Sequence, residues 1–229
     1  MTQSAAAIET LLRQRHSVRG FLRDPVPRAD VVAILETARS APSGANLQPG
    51  KFHALTGAPL AQLCACLTEA AAQNRAPVSQ YSYFPDPMPG VLKARQRAAG
   101  FGLYQTLGIE RRDLAGRRAQ FAANYRFFDA PVGVVVTIDP AMGKGCFMDL
   151  GLALMALMMA AQARGFATCG IGALANYADL AHAHLALPED EMVVCGLALG
   201  RADPQAAVNT LRTERAPLEA FATLSGFDA

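Results

Sequence analysis

Tryptophan is absent from these 229 residues, histidine occurs only four times, and the charges nearly balance, with 21 Lys and Arg against 19 Asp and Glu. A net charge of +2 with scattered basic residues excludes the basic stripe that nucleic acid requires. Cysteine is scarce and odd in number, at 64, 66, 146, 169 and 195. Cys64 and Cys66 are spaced wrongly for the usual zinc loops, so the five read as mostly buried thiols of a reducing compartment. The longest unbroken apolar run, residues 150–161, is bounded by Asp149 and Gln162. It falls short of the ~20 residues that a bilayer needs, so no membrane partner is expected. The run Met1-Thr2-Gln3-Ser4-Ala5 has no basic stretch followed by an apolar one, and a cytoplasmic location follows. No repeat, low-complexity tract or linker divides the chain, which predicts one domain over 1–229. Ser43 lacks a GxSxG setting, which removes the Ser-His-Asp hydrolases.

What is present is apolar: 52% hydrophobic against 17% charged residues, enough for a large core. Ile8, Leu11 and Leu12 fall at helical spacing behind Ser4 as N-cap. Val31, Val32, Ile34, Leu35 and Ala38 form one face of a second helix, and residues 51–56 form a short strand. Leu60, Leu63, Cys64 and Leu67 mark a helix over 59–73, and helical patterning returns over 91–107 and 110–121. Residues 131–138 and 191–200 are nearly continuous apolar runs, as in strands covered on both faces. Residues 147–164 predict a helix buried in the core or at a subunit interface, with Gly151, Ala153 and Ala156 admitting a close neighbour. Few strands mixed with many helices predict an α+β fold with a three-layer α/β/α sandwich.

Several stretches bear on chemistry. Residues 41–49 form a loop bracketed by Pro42 and Pro49 that displays Ser43, Asn46 and Gln48. Uncharged amides and hydroxyls of this kind suit a neutral heterocycle, although a plain helix-to-strand connection reads the same way. Arg15 and Arg19 flank Ser17 where a helix gives way to loop, which suits a phosphate or a solvated helix end. Gly170, Gly172 and Ala175 match GxGxxA with Asp190 near the customary distance of about 20 residues, yet Asp190 precedes the next strand. Loop glycines allowing a flat ligand to approach the backbone fit equally well. His182 and His184, two apart on a helix, point in different directions and make a poor ligand pair. Residues 74–90 hold four prolines with Tyr81, Tyr83 and Phe84: a lid or pocket wall, or an arm packing on a second subunit. The tail after Arg201 carries Arg212 and Arg215, and its Leu218, Phe221, Leu224 and Phe227 need somewhere to bury.

In order, Arg15-His16-Ser17-Val18-Arg19, Ala41-Pro42-Ser43 with Asn46 and Gln48-Pro49, Gly170-Ile171-Gly172, and Arg215-Ala216-Pro217 resemble the FMN-dependent nitroreductase family. Residues 194–204 resemble that family's last core strand and turn. The resemblance implies an α+β homodimer with extended C-terminal tails exchanged between subunits and FMN at the interface. It implies that Arg15, Ser17, Arg19 and Arg215, with His16 beside them, hold the phosphate and pyrimidine side. Pro42, Ser43, Asn46 and Gln48 of the other subunit would hold the ribityl chain and ring. Gly170, Ile171 and Gly172 would approach the ring through backbone groups, and Asn124 and Arg126 are similar to a further flavin contact. The implied activity is ping-pong hydride transfer from NAD(P)H to a nitroaromatic or quinone, with the chemistry on the cofactor and no catalytic side chain or metal. Alternatives are a dehydrogenase or dehalogenase on the same fold, or a flavin-binding protein without turnover. The family commonly has tryptophan after the Gln-Pro pair, where this chain has Gly50.

Overall fold

The computed structural model describes residues 3–227; Met1 and Thr2, which open the run read for a signal peptide, and Asp228 and Ala229 lie outside the described residues. Helix α1 (Gln3–Gln14) leads through an extended segment to α2 (Arg28–Ala38), and the polar loop follows. Strand β1 (Gly50–Thr56), α3 (Gly57–Ala72), α4 (Gly90–Thr106) and α5 (Leu114–Ala122) come next. Then follow β2 (Val132–Ile138), α6 (Lys144–Ala163), β3 (Ala167–Ile171), α7 (Ala178–His184) and β4 (Met192–Gly200). The strands form one sheet in the order β1-β2-β4-β3, antiparallel at every pair.

The sheet is the middle layer of three. Val132, Val134, Val136 and Ile138 of β2, with Leu197 and Leu199 of β4, meet Ile34 and Ala38 of α2 and Leu150 and Leu157 of α6. On the other face Val135, Val193 and Ala198 meet Leu63 and Leu67 of α3, Ala178 and Ala181 of α7, and Phe127. Every residue of β2 is buried, as its continuous apolar run predicts. Burial at about 1.5–3 kcal/mol for each large apolar side chain makes this sandwich the main source of stability. Helix α6 has the length and hydropathy of a membrane span, but its Leu150, Leu157, Ala160 and Ala161 pack into this core. Its Met148 and Leu152 remain exposed, at 72% and 47%. Helix α4, by contrast, buries no residue at all.

Several local readings change. Ser4 lies inside α1 rather than at its cap. Helix α5 starts at Leu114 because the Asp113 carboxylate accepts from Gly116 N (2.7 Å), so residues 110–113 are turn. The glycine segment read as loop is strand β3, with Gly170 on its exposed face. All five thiols are free, and only Cys169 is fully buried.

Candidate functional site

Two separate clefts hold most of the residues that the sequence singles out. The first is cationic. After α1 the chain runs extended, and Val18 N donates to Thr168 O at 3.1 Å, which docks residues 15–19 against β3. Asn209 fastens the same segment to the tail: its Oδ1 accepts from Arg19 N (2.9 Å) and Gly20 N (3.1 Å), and its Nδ2 donates to Gly20 O (2.7 Å). This places Arg15, His16, Ser17 and Arg19 opposite Arg212 and Arg215 across a cleft of about 750 Å³, floored by Ala99, Gly100 and Leu103 of α4. Among the described residues none of these four arginines is in an ion pair. Unpaired guanidinium groups facing one space, with a serine between them, form a ready anion site. Behind them, burial pushes the Cys169 thiol up, against the pull of Arg19, Ser17 and Arg15, so it is a packed neutral group.

The second cleft carries no net charge, with Arg39 and Asp149 the charged residues of its lining. Ser43, Pro42, Gln48 and Gly50 line a space of about 270 Å³ with Leu35, Phe52 and Asp149. Gln48 N donates to Ser43 Oγ (3.0 Å), Gln48 Nε2 to Asn46 O (3.2 Å) and Gly44 N to Asp149 Oδ2 (3.1 Å). Ala45, Asn46 and Gln48 all hold positive φ, 47°, 59° and 49°. Only Asn among these accepts that region readily, so the loop is a set shape rather than a slack connection. Asn46 itself points outward and does not line the cleft. Gly50 answers the question its position raises: a Cβ there would stand 2.3 Å from Leu150 Cδ1, so Leu150 occupies the room beneath the loop.

Strand β1 carries this loop on the sheet edge, and a polar cluster that sequence reading missed clamps it. Lys51 Nζ and His53 Nε2 lie 2.7 Å from Glu191 Oε1 and Oε2, and Thr137 Oγ1 donates to Oε2 at 2.7 Å. Burial alone would push the Glu191 carboxyl up; the hydrogen bonds from Lys51, Thr137 and His53 outweigh it and hold the group at about 2. The three partners come from positions 51, 53 and 137, and no short-range signal connects them.

The glycine segment connects to the proline-rich stretch. Tyr83 lies over Gly172, where an added Cβ would be 3.0 Å from its ring, and Tyr83 and Phe84 are 60% and 53% exposed. Tyr81 is different: its hydroxyl donates to Val194 O (2.8 Å), at the bulge between β2 and β4, and its ring packs 6.0 Å from Phe147. Tyr81 is therefore an anchor, not a free stacking wall. Ile171 is buried in the core and offers only its backbone. Asn124 and Arg126 are not brought to either cleft. Asn124 Nδ2 donates to Phe121 O (2.7 Å), and Arg126 pairs with Asp129 and lines a different hollow beside Arg23 and Cys64. Arg212, noted in the tail beside Arg215 but not among the residues that the resemblance assigns to a ligand, also faces the cationic cleft. His182 and His184 each bond a backbone carbonyl, Pro188 O and Pro59 O, and among the described residues no cluster could hold a metal.

Comparison with known proteins returns one family model, described as the nitroreductase family, matching residues 12–201. A 4-nitrobenzoate reductase of Pseudomonas putida is 37% identical over 223 residues, covering 96% of both chains. A chloronitrobenzene nitroreductase of Comamonas testosteroni is 37% identical over 219 residues, 94% of this chain and 96% of that one. Among solved structures, the NADPH complex of the FMN-dependent nitroreductase NfnB from Mycobacterium smegmatis superposes with a TM-score of 0.93 at 32% identity, covering 97% of this chain and 100% of that one.

Proposed function

Because the chain belongs to the nitroreductase family, we propose that it is an FMN-dependent oxidoreductase that reduces nitroaromatic compounds with NAD(P)H. The observation that carries this reading is the pairing of the two clefts: unpaired arginines in one, a rigid amide loop in the other. FMN has a phosphate dianion, a polyol and a flat ring, and the residues fit each part. Arg15, Ser17, Arg19 and Arg215 would hold the phosphate and pyrimidine edge, with Arg212 and His16 alongside. Pro42, Ser43, Asn46 and Gln48 would hold the polyol and ring. The exposed strand face at Gly170 and the backbone of Ile171 and Gly172 would let the ring lie close, under Tyr83. Asn124 and Arg126 have no place in this arrangement as the chain folds by itself.

The two clefts share no lining residue, which supports a homodimer in which each FMN takes its loop from the second subunit. The surface agrees with this. Phe221, Leu224 and Phe227 are 85%, 68% and 77% exposed along the tail, and Ile8, Met148 and Leu152 are exposed on α1 and α6. An apolar tail of this kind finds burial on a partner. The whole chain, 1–229, acts as one FMN-binding domain, and its free thiols suit the cytoplasm.

When bound, FMN would supply the hydride chemistry that links NAD(P)H to a nitroaromatic or quinone acceptor, and the order we propose is ping-pong. The chain's own work would be to fix the cofactor's anionic end with the arginines of the cationic cleft and to let its ring lie against the backbone of residues 170–172. Purified protein is expected to be yellow, to retain FMN, and to oxidise NADPH only when 4-nitrobenzoate or a quinone is added. Colourless protein that does not take up added FMN, or bound FMN that NADPH and NADH leave unreduced, would overturn the reading.

A further inference from the structure

A third cleft, of about 780 Å³, lies between the C-terminal end of α3, the pair α4 and α5, and the turn after β3. It shares no lining residue with the two flavin half-sites, and α4 divides it from the cationic one: Leu103 faces that cleft and Tyr104 faces this one. Its size is ordinary for a small-molecule site. Its lining is not ordinary surface. Three arginines, Arg75, Arg117 and Arg118, border it, and no aspartate or glutamate does. Arg75 pairs with Asp179 from outside the cleft, whereas Arg117 and Arg118 are in no ion pair among the described residues. Arg117 Nε and Arg75 Nη1 are buried atoms without a hydrogen-bond partner among those residues. Thr68 Oγ1 on the cleft wall and Asp179 Oδ1 behind Arg75 are buried without a partner as well. Of the two arginines, Arg75 is thus already balanced by a carboxylate, and Arg117 is the one whose charge is left for an incoming acceptor.

Four aromatic residues, Tyr104, Phe121, Tyr125 and Tyr177, share the remaining wall with small and aliphatic side chains. The Arg117 guanidinium sits over the Tyr104 ring, 4.6 Å from its centroid, and both residues line the cleft. Tyr125 and Tyr177 are both buried, with ring centroids 5.0 Å apart. Their hydroxyls are spent on the fold: Tyr125 Oη accepts from Asn176 Nδ2 (3.2 Å), and Tyr177 Oη donates to Arg75 O (3.3 Å). Ring faces and edges are therefore what these tyrosines offer a ligand. A guanidinium with an unpaired N–H group beside aromatic faces matches one chemistry, a planar ring bearing a carboxylate.

We propose that this cleft is a binding site for an aromatic carboxylate, held by Arg117, beside Arg75, at its charged end and by Tyr104, Tyr125 and Tyr177 at its ring, and separate from the flavin site. The assignment stands apart from the flavin reading, since it uses none of the same residues.

The test uses 4-fluorobenzoate, which cannot be reduced at a nitro group, titrated into the protein as purified and followed by ¹⁹F NMR. Saturable binding is expected, with affinity falling about tenfold or more in Arg117→Ala, while fluorobenzene, which lacks the carboxylate, shows no saturable binding. Arg118→Ala changes only an exposed side chain and cannot compromise the fold; a several-fold loss there, with FMN content unchanged, supports the site independently. Displacement of the probe by benzoate but not by 2′,5′-ADP supports an aromatic acid. Displacement by 2′,5′-ADP would overturn the proposal in favour of a nucleotide phosphate. Absence of saturable binding, or equal affinity in wild type and both variants, would overturn it outright.

Discussion

The cationic cleft is assembled from both ends of the chain, with Arg15 and Arg19 near one terminus and Arg212 and Arg215 near the other, tied together by Asn209. The loop cleft is built around one run of nine residues, 41–49, backed by α2, β1 and α6; its two charged residues, Arg39 and Asp149, are of opposite sign and leave no net charge to steer a ligand from afar. Their means of recognition differ accordingly. Charge acts over a Debye length of about 8–10 Å and tolerates mobile side chains, but salt weakens it. The loop relies on position: its backbone holds three non-glycine residues at positive φ, and its hydroxyl and amides already bond one another. One cleft therefore contributes attraction and the other shape. A ligand that needs both must span them, which is the physical reason for expecting two subunits in one site.

This contrast breaks most visibly at the arginines. Removing Arg15 and Arg19 together deletes two charge-assisted contacts worth roughly 1.5–3 kcal/mol each, so the Kd for FMN rises about 100-fold or more. The same variant should also lose about half of the salt dependence of FMN binding, since Arg212 and Arg215 remain, measured by flavin fluorescence at increasing ionic strength. Wild-type affinity that is already indifferent to salt would erase the distinction between the clefts. The loop should respond more weakly and without salt dependence. Asn46 holds φ +59°, so alanine would add backbone strain to the loss of the amide; Asn46→Gly removes the amide alone. Its expected effect is the loss of one neutral hydrogen bond, about 0.5–1.5 kcal/mol or roughly 3- to 10-fold in FMN affinity, with dimer and melting temperature unchanged. Unchanged affinity in this variant would remove Asn46 from the site.

Much of this was legible before any coordinates, and the failures have causes. Strands β2 and β4 declare themselves because burial on both faces leaves only apolar residues, and α6 because a core helix is apolar almost all round. The motif residues at 15–19 and 215 could be singled out because few residue types suit a phosphate, and the fold brings them to one cleft. Strand β3 was misread because Gly170 lies exposed in mid-strand, breaking alternation at the point where a flat ligand is proposed to lie. Asn124 and Arg126 were drawn toward the site by loose similarity, whereas Asp129, three residues on from Arg126, already signalled a local ion pair. Tyr81, Tyr83 and Phe84 look equivalent in the sequence; only the bulge carbonyl of Val194 separates the anchor from its two exposed neighbours. The Glu191 cluster joins three strands, and nothing in a linear pattern brings positions 51, 53, 137 and 191 together.

That cluster supplies the weakest and most discriminating perturbation, because it supports the loop cleft without touching either half of the site. The Glu191 carboxyl titrates at about 2 in the fold, against an ordinary 4.5, despite the burial that opposes its charge. The folded state thus favours the carboxylate. Its contribution to stability is complete above pH 4.5 and is lost as pH falls from 4.5 toward 2. Melting temperature should decline through that window, and Glu191→Gln should flatten the decline while lowering stability at neutral pH. Neutral glutamine replaces bonds to a charged acceptor with weaker ones, a loss of about 1–2 kcal/mol. FMN affinity at neutral pH should change less than about threefold, because Lys51 and His53 face the clamp, whereas Ser43 and Gln48 face the cleft. A loss of FMN as large as that of the double arginine variant would mean that β1 positions the ligand directly. The loop would then owe its shape to the strand beneath it rather than to its own hydrogen bonds.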